Sequence, residues 1–190
     1  RILKIFIVFA KSIDFTFILG YNNTKSRFSK SRLDSIRGVF MFIGRETELK
    51  FLNDKYNSDG GQLVVLYGRR RVGKTETLRE FCKEKPHVFF SCTQTTDRVQ
   101  LQKFSKQILK ENIPAKNYIT EFADWEKAFG AVLDLPYGDK KKLFIIDEFP
   151  YMCKGNKSIP SILQNLWDTQ LRDSNVMIVL CGSAMSFIEK

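Results

Sequence analysis

The chain has 190 residues, enough for one domain of ordinary size plus a tail, with a core that hides roughly 70% of the unfolded surface. At 43% hydrophobic and 27% charged residues it is neither a disordered nor a collagen-like sequence. Lys and Arg number 31 against 21 Asp and Glu, a formal charge of +10, which taken alone suggests a nucleic-acid or membrane-surface partner.

The first forty residues differ in character from the rest. An apolar run from Ile5 to Ala10 is broken by Lys11 and Asp14 before Phe15 to Leu19. A membrane span needs about 20 apolar residues, and no convincing small-residue cleavage site follows, so neither a span nor a secretory leader is expected. Residues 21–37 are polar, basic and Ser-rich and read as linker or disorder. The four methionines stand at 41, 152, 177 and 185. Residues 1–40 therefore read as an extension or linker, disordered or not native, with Met41 as the natural start; the alternative is a flexible arm that belongs to the protein. Residues 41–190 form the second unit, a partial domain.

From Met41 onward helices and strands alternate. Glu46 to Tyr56 sets Leu49, Leu52 and Tyr56 on one helical stripe. Gly60-Gly61 is a turn into the apolar strand Leu63 to Tyr67. Lys74 to Lys83 reads as a helix, His87 to Cys92 as a strand, and Asp97 to Ile113 and Glu121 to Leu135 as two further helices. Leu143 to Ile146 has no alternation and reads as a strand covered on both faces. Pro160 to Arg172 is a helix with proline in its first turn, and Val176 to Cys181 is a fourth buried strand. This alternation implies an α/β fold, a parallel sheet with helices on both sides.

The cysteines, Cys82, Cys92, Cys153 and Cys181, form no C-x-x-C pair, and His87 is the only histidine. A local zinc site and a disulfide framework are both unexpected, and a reducing cytoplasm is favoured.

The residues from Gly68 to Thr75, GRRRVGKT, match G-x-x-x-x-G-K-[ST] in full, between an apolar strand and a helix. Each position has a physical reason. Gly68 and Gly73 permit backbone angles that a Cβ penalises and a close approach to phosphate. The N–H groups of Arg69, Arg70, Arg71, Val72 and Gly73, with the helix start at Lys74, Thr75 and Glu76, form an anion nest. Lys74 brings a mobile charge to the β- and γ-phosphates, and the Thr75 hydroxyl suits Mg²⁺.

Leu143 to Glu148 is an apolar strand ending in two carboxylates, at the sheet edge where parallel sheets meet their ligands. Asp147 would serve the metal shell and Glu148 would orient or deprotonate the attacking water. The acids also discriminate. Asp147 is followed by Glu148-Phe149-Pro150 rather than the x-x-G of a GTPase, Asn156-Lys157-Ser158-Ile159 fails as N-K-x-D, and no transporter-type L-S-G-G-Q signature exists. ATP hydrolysis fits best.

Phe42-Ile43-Gly44-Arg45-Glu46-Thr47-Glu48-Leu49, the phosphate loop, Ile146 to Tyr151 and Leu180-Cys181-Gly182-Ser183 together resemble the archaeal-type ATPases, in the STAND branch of the AAA+ P-loop ATPases. The resemblance runs from Met41 to Lys190. It implies a P-loop NTPase sheet with strand order 5-1-4-3-2, incomplete at its C-terminal end. Gly44, Arg45 and Glu46 would lie near adenine and ribose, and Ser183 would be the sensor-1 residue that feels the γ-phosphate. A helix N-cap before residues 184–189 is the other reading of Ser183, and a surface ion pair that of Arg45. The fifth strand, lid, sensor-2 arginine and arginine finger would follow residue 190, as would a region for a DNA or protein partner, and an oligomer stays open. Arg172 does not match a finger position. A fragment of this kind is expected to turn over slowly, because a finger supplies about 10³–10⁵ in rate.

Three functions remain in view: a Mg²⁺-dependent ATPase domain of a regulatory or nucleic-acid-processing protein, an ATP-operated switch with little turnover, and a basic DNA-binding module. Lys140-Lys141-Lys142 reads better as solvated flank than as DNA contact. Residues 1–40 hold eight basic and two acidic residues, leaving 23 and 19 for the remainder. Arg69, Arg70, Arg71 and Lys74 fall in the phosphate loop, so the excess charge argues little for DNA.

Overall fold

The computed structural model describes residues 3–7, 16–18 and 45–183. Six strands form one sheet: β1 (Leu3–Ile7), β2 (Thr16–Ile18), β3 (Gln62–Gly68), β4 (His87–Ser91), β5 (Lys142–Asp147) and β6 (Val176–Gly182). Their spatial order is β2-β1-β3-β6-β5-β4. The last four are parallel, and β6 lies between β3 and β5. This reproduces the 1-4-3-2 part of the expected order.

Position 5, beside the phosphate-loop strand, is taken by β1, which runs antiparallel to β3 from Leu3 opposite Gly68 to Ile7 opposite Val64. Within the stretch read as linker or disorder, Leu3–Ile7 and Thr16–Ile18 are thus strands, joined to each other antiparallel. Short apolar runs suit an edge strand as well as they suit a tail, and the sequence alone does not separate the two. The linker at 21–37 lies outside the described residues.

The apolar runs are explained by two covered faces. Val64, Leu66, Leu143, Ile145, Met177, Val179 and Cys181 face one core, with Leu52 of α1 (Glu46–Tyr56) and Leu78 and Phe81 of α2 (Lys74–Cys82). The alternate residues, among them Val65, Phe144, Ile146, Ile178 and Leu180, face a larger core. That core is closed by α3 (Asp97–Leu109), α4 (Trp125–Gly130), α5 (Phe149–Gly155) and α6 (Ile159–Leu166). Phe104 is its hub, with Phe90, Trp125, Phe129 and Phe144 edge-on at 5.1–5.5 Å between centroids, a geometry worth about 0.5–1.5 kcal/mol per pair beyond burial.

Several boundaries differ from the periodicity reading. The Asp97 helix ends at Leu109, and Asn112 beyond it is left-handed with φ of 62°. The helix expected from Glu121 starts only at Trp125, because the Asp124 carboxylate accepts from the Lys127 N–H at 2.8 Å and caps it there; from Ala131 it tightens to a 3₁₀ turn. The Pro160 helix begins at Ile159 and widens into a π turn over Trp167–Leu171. Helix α5 was not expected at all.

The lysine triplet is also not simply solvated flank. Lys141 is buried, its ammonium donating to the Ser58 and Gly60 carbonyls at 2.5 and 2.7 Å, and Lys142 donates to the Leu133 carbonyl. Burial lowers the Lys141 pKa, opposed by nearby Asp59. Only Lys140 is exposed. A concave space of about 640 Å³ adjoins this end of the sheet, lined in part by Tyr56, Gly60, Lys85, Lys141 and Asn175. It lies beyond the strand starts, far from the phosphate loop.

Gly61 shows how tightly this end is built. A Cβ there would sit 2.2 Å from the Leu171 carbonyl oxygen, and the Gly61 N–H already donates to the Arg172 carbonyl at 2.7 Å. Backbone cannot yield as a side chain does. Gly61→Ala is expected to cost about 2–3 kcal/mol and to lower the melting temperature by roughly 4–12 °C. A thermal melt within 1 °C of the wild type would contradict the packing.

Candidate functional site

Parallel strands bring their C-terminal ends to one edge. Register places Ile146 beside Leu180 and Tyr67 beside Gly182. Gly68, Asp147 and Ser183, each at the end of its strand or just past it, therefore converge at that edge. Ser183 is half-buried there, and the residues of its proposed N-cap helix, 184–189, lie outside the described residues. Gly44 lies outside them too.

The phosphate loop connects β3 to α2. Gly73 caps the helix with a left-handed φ of 85°, the angle for which glycine is suited. Gly68, by contrast, ends β3 as part of the strand and takes no positive φ, so the torsional freedom of glycine is not used there. The strained position is Arg71, left-handed at φ 61°; a non-glycine residue held there costs of order 1–3 kcal/mol. Arg69, Arg70 and Arg71 are all exposed, whereas Val72 is buried.

Lys74 is 7% exposed, and its ammonium curls over the loop to donate to the Gly68 and Arg69 carbonyls at 2.9 and 3.0 Å. Backbone acceptors thus hold the charge inside the concavity its own loop forms. The Thr75 hydroxyl donates to Asp147 Oδ2 at 2.9 Å, joining the helix start to the end of β5. The other carboxylate oxygen, Oδ1, accepts from the Glu148 N–H at 2.9 Å. Glu148 follows in left-handed geometry, φ 52° and ψ 38°, as the cap of α5. That turn redirects the chain out of the sheet and leaves the Glu148 side chain half-buried at the rim. Glu76 points elsewhere: it pairs with Arg79 at 2.8 Å on the exposed side of α2.

Arg45 makes the ion pair that one reading of the sequence expected, and with it a contact that neither reading foresaw. One amino group of its guanidinium pairs with Glu48 at 2.7 Å, and the other donates to the Val72 carbonyl at 2.7 Å. The surface ion pair exists, and the same residue braces the phosphate loop from behind. An adenine or ribose contact is not what these bonds serve.

The sequence reads Cys92 and Cys181 as small hydrophobes at the ends of apolar runs; two features lie beyond that reading, the place of these thiols against Asp147 and a short helix. Cys181 lies against Asp147: burial first, then the Asp147 charge and a hydrogen bond to it, push its thiol up. Cys92 stands beside the same strand end, its N–H donating to the Asp147 carbonyl at 2.9 Å, and burial pushes its thiol up to about 12. Both are protonated small hydrophobes lining the acid rather than nucleophiles. The second is α5, whose apolar pair Phe149 and Met152, with Pro150 in the first turn, was the available signal. Its far end is tied down by Asp97, which accepts from Asn156 at 3.2 Å and from the Trp125 indole at 2.8 Å. Arg172 pairs with Asp173 at the opposite end of the sheet, away from the loop. Among the described residues no helix is long and apolar enough to cross a membrane.

Known proteins resemble this chain. An uncharacterised protein of Methanocaldococcus jannaschii is 30% identical over 148 residues, 78% of this chain and 31% of its own length. An uncharacterised ATP-binding protein of the same organism is 48% identical over 48 residues, 25% of this chain and 81% of that protein. The solved structure of a Walker-type ATPase of Pyrococcus abyssi superposes with a TM-score of 0.54 at 22% identity, over 77% of this chain and 47% of that one, and shares the fold. The chain thus spans less than half the length of the first of these relatives and of the solved ATPase. The family described as the ATPase domain predominantly from Archaea matches residues 42–190, the helices, the phosphate loop and the acidic strand end together, and the chain belongs to that family.

Proposed function

We propose that residues 41–190 bind and hydrolyse ATP with Mg²⁺. The observation that carries this reading is the 2.9 Å bond between Thr75 and Asp147, which brings the phosphate loop and the acidic strand end into one site. The family to which the chain belongs and the ATP-binding relative support the nucleotide. The start of the family match at residue 42 supports the domain boundary near Met41.

The residues divide the work by position. The loop N–H groups from Arg69 to Gly73 and the start of α2 face a polyphosphate, and Lys74 is held where its charge reaches it. Thr75 and Asp147 are a hydroxyl and a carboxylate already within hydrogen-bond distance, a hard oxygen pair that suits Mg²⁺. When bound, Mg²⁺ would neutralise charge on the phosphate oxygens. Glu148 orients the attacking water and accepts its proton. Ser183, beyond Gly182 and level with the loop, can hydrogen-bond a phosphate oxygen or the water. Arg45 acts indirectly, through the Val72 carbonyl.

The position of β6 between β3 and β5 supports placing the domain in the STAND branch of the AAA+ ATPases. Four free thiols suit a reducing cytoplasm. The chain spans 31% of the length of its first relative, which supports a place inside a larger protein, and we propose a regulatory or nucleic-acid-associated role for that protein. The basic DNA-binding reading loses ground, because Lys141 and Lys142 bond inward. Calorimetric titration with MgATP tests the proposal, with a dissociation constant in the micromolar range expected. Absence of binding at millimolar MgATP would remove it.

A further inference from the structure

Arg70 lies on the exposed loop, yet it does not simply extend into water. An amino group of its guanidinium donates to the Tyr151 hydroxyl at 3.0 Å, across 81 residues of sequence. Tyr151 is half-buried on α5, three residues past Glu148, and Lys154 stands 5.6 Å from its ring centroid. The bond therefore spans the gap between the loop and the segment that presents Glu148. Tyr151 offers a hydroxyl and not a carboxylate, and among the described residues Arg70 forms no salt bridge. Among the described residues its guanidinium makes this one hydrogen bond, so most of its five N–H donors are available to a ligand.

We propose that Arg70 is the residue that distinguishes a nucleoside triphosphate from a diphosphate, and that Tyr151 is its positioning residue. The inference rests on the nucleotide reading above. In that reading the phosphate chain runs from the loop toward Glu148, so a cation bridging the two stands at the γ-end and not over the α- or β-phosphate. The free side of the guanidinium offers a fork to two oxygens of one phosphoryl group, a match an ammonium does not make. Tyr151 keeps its single bond throughout and spares the long side chain part of the ordering cost on binding. Because Arg70 comes from the same chain, the discrimination needs no second subunit.

The test is a titration of wild type, Arg70→Ala, Arg70→Lys and Tyr151→Phe with Mg-adenylyl imidodiphosphate and, separately, with MgADP. Arg70→Ala is expected to weaken the triphosphate analogue about 10- to 100-fold and ADP by a clearly smaller factor, since the main-chain N–H of residue 70 stays in the loop. Tyr151→Phe should produce the same selective loss at roughly 3- to 10-fold. Arg70→Lys should recover only part, because the charge returns without the fork. All substitutions fall on exposed or half-buried positions, and a circular dichroism spectrum like that of the wild type accompanies each titration. Equal weakening of both nucleotides, or of neither, overturns the inference while a wild type that binds both leaves the nucleotide site standing. A wild type that binds neither removes the site and the inference together.

Discussion

Lys74→Ala is expected to raise the dissociation constant for MgATP by about 30- to 3,000-fold. Lys74 is 7% exposed, and its ammonium is already held by two carbonyls of its own loop. Little further desolvation is needed when it meets a polyphosphate, so most of the charge-assisted attraction is retained as affinity. Removing one partner of such a buried pair costs about 2–5 kcal/mol, which is the quoted range at 1.4 kcal/mol per tenfold. ADP should weaken as well, since the lysine serves the β- as much as the γ-phosphate. Fluorescent-nucleotide titration measures this, with the far-ultraviolet spectrum as a control for the fold. A variant that binds MgATP within threefold of the wild type would show that the buried lysine is a structural plug.

The second large effect concerns Glu148. Glu148→Gln keeps the shape of the side chain and the cap of α5 while removing a carboxylate that can take a proton. General-base assistance contributes about 10²–10⁴ in rate, and phosphate release should fall by that factor. Affinity for MgATP should move less than threefold, because the half-buried carboxylate lies beyond the loop and does not cradle phosphate. Phosphate release under single-turnover conditions separates the two quantities. If the wild type holds ATP as tightly as the variant and neither releases phosphate, the domain is an ATP-operated switch and not a working hydrolase.

The contrast between what was legible in the sequence and what was not follows the range of the interactions. The phosphate loop, the acidic strand end and the four apolar strands are local patterns, each set by neighbours in sequence, and the structure has them where the pattern put them. Partners across the chain left no local trace. Arg45 and Val72 are 27 residues apart, and Arg70 and Tyr151 are 81 apart, so neither bond could be read from spacing. Helix α5 was missed because seven residues with two buried positions and a proline show almost no period. The helix expected from Glu121 was drawn too long, since its apolar residues continued a stripe while Asp124 supplied the stop. For Gly68 the motif implied a torsional need, and the strand it belongs to supplies none.

The double coverage of the sheet has a consequence for how the site is aligned. A strand that is apolar on one face only is locked in place, because a slip of one residue turns its greasy side to water. Strands β3, β5 and β6 are apolar on both faces, so that penalty largely vanishes and hydrophobicity alone tolerates a slip. Something else must index them. At the entry of β5 the buried Lys141 ammonium is fastened to two carbonyls of the 58–60 turn, and the Lys142 N–H to the Asn175 carbonyl. These polar fastenings cannot shift by one residue without leaving a charge unpartnered. Five residues of strand at about 3.3 Å each lie between Lys141 and Asp147. Where the acid arrives beside Thr75 is thus calibrated from the opposite pole of the molecule, as the zero mark of a ruler fixes its far end.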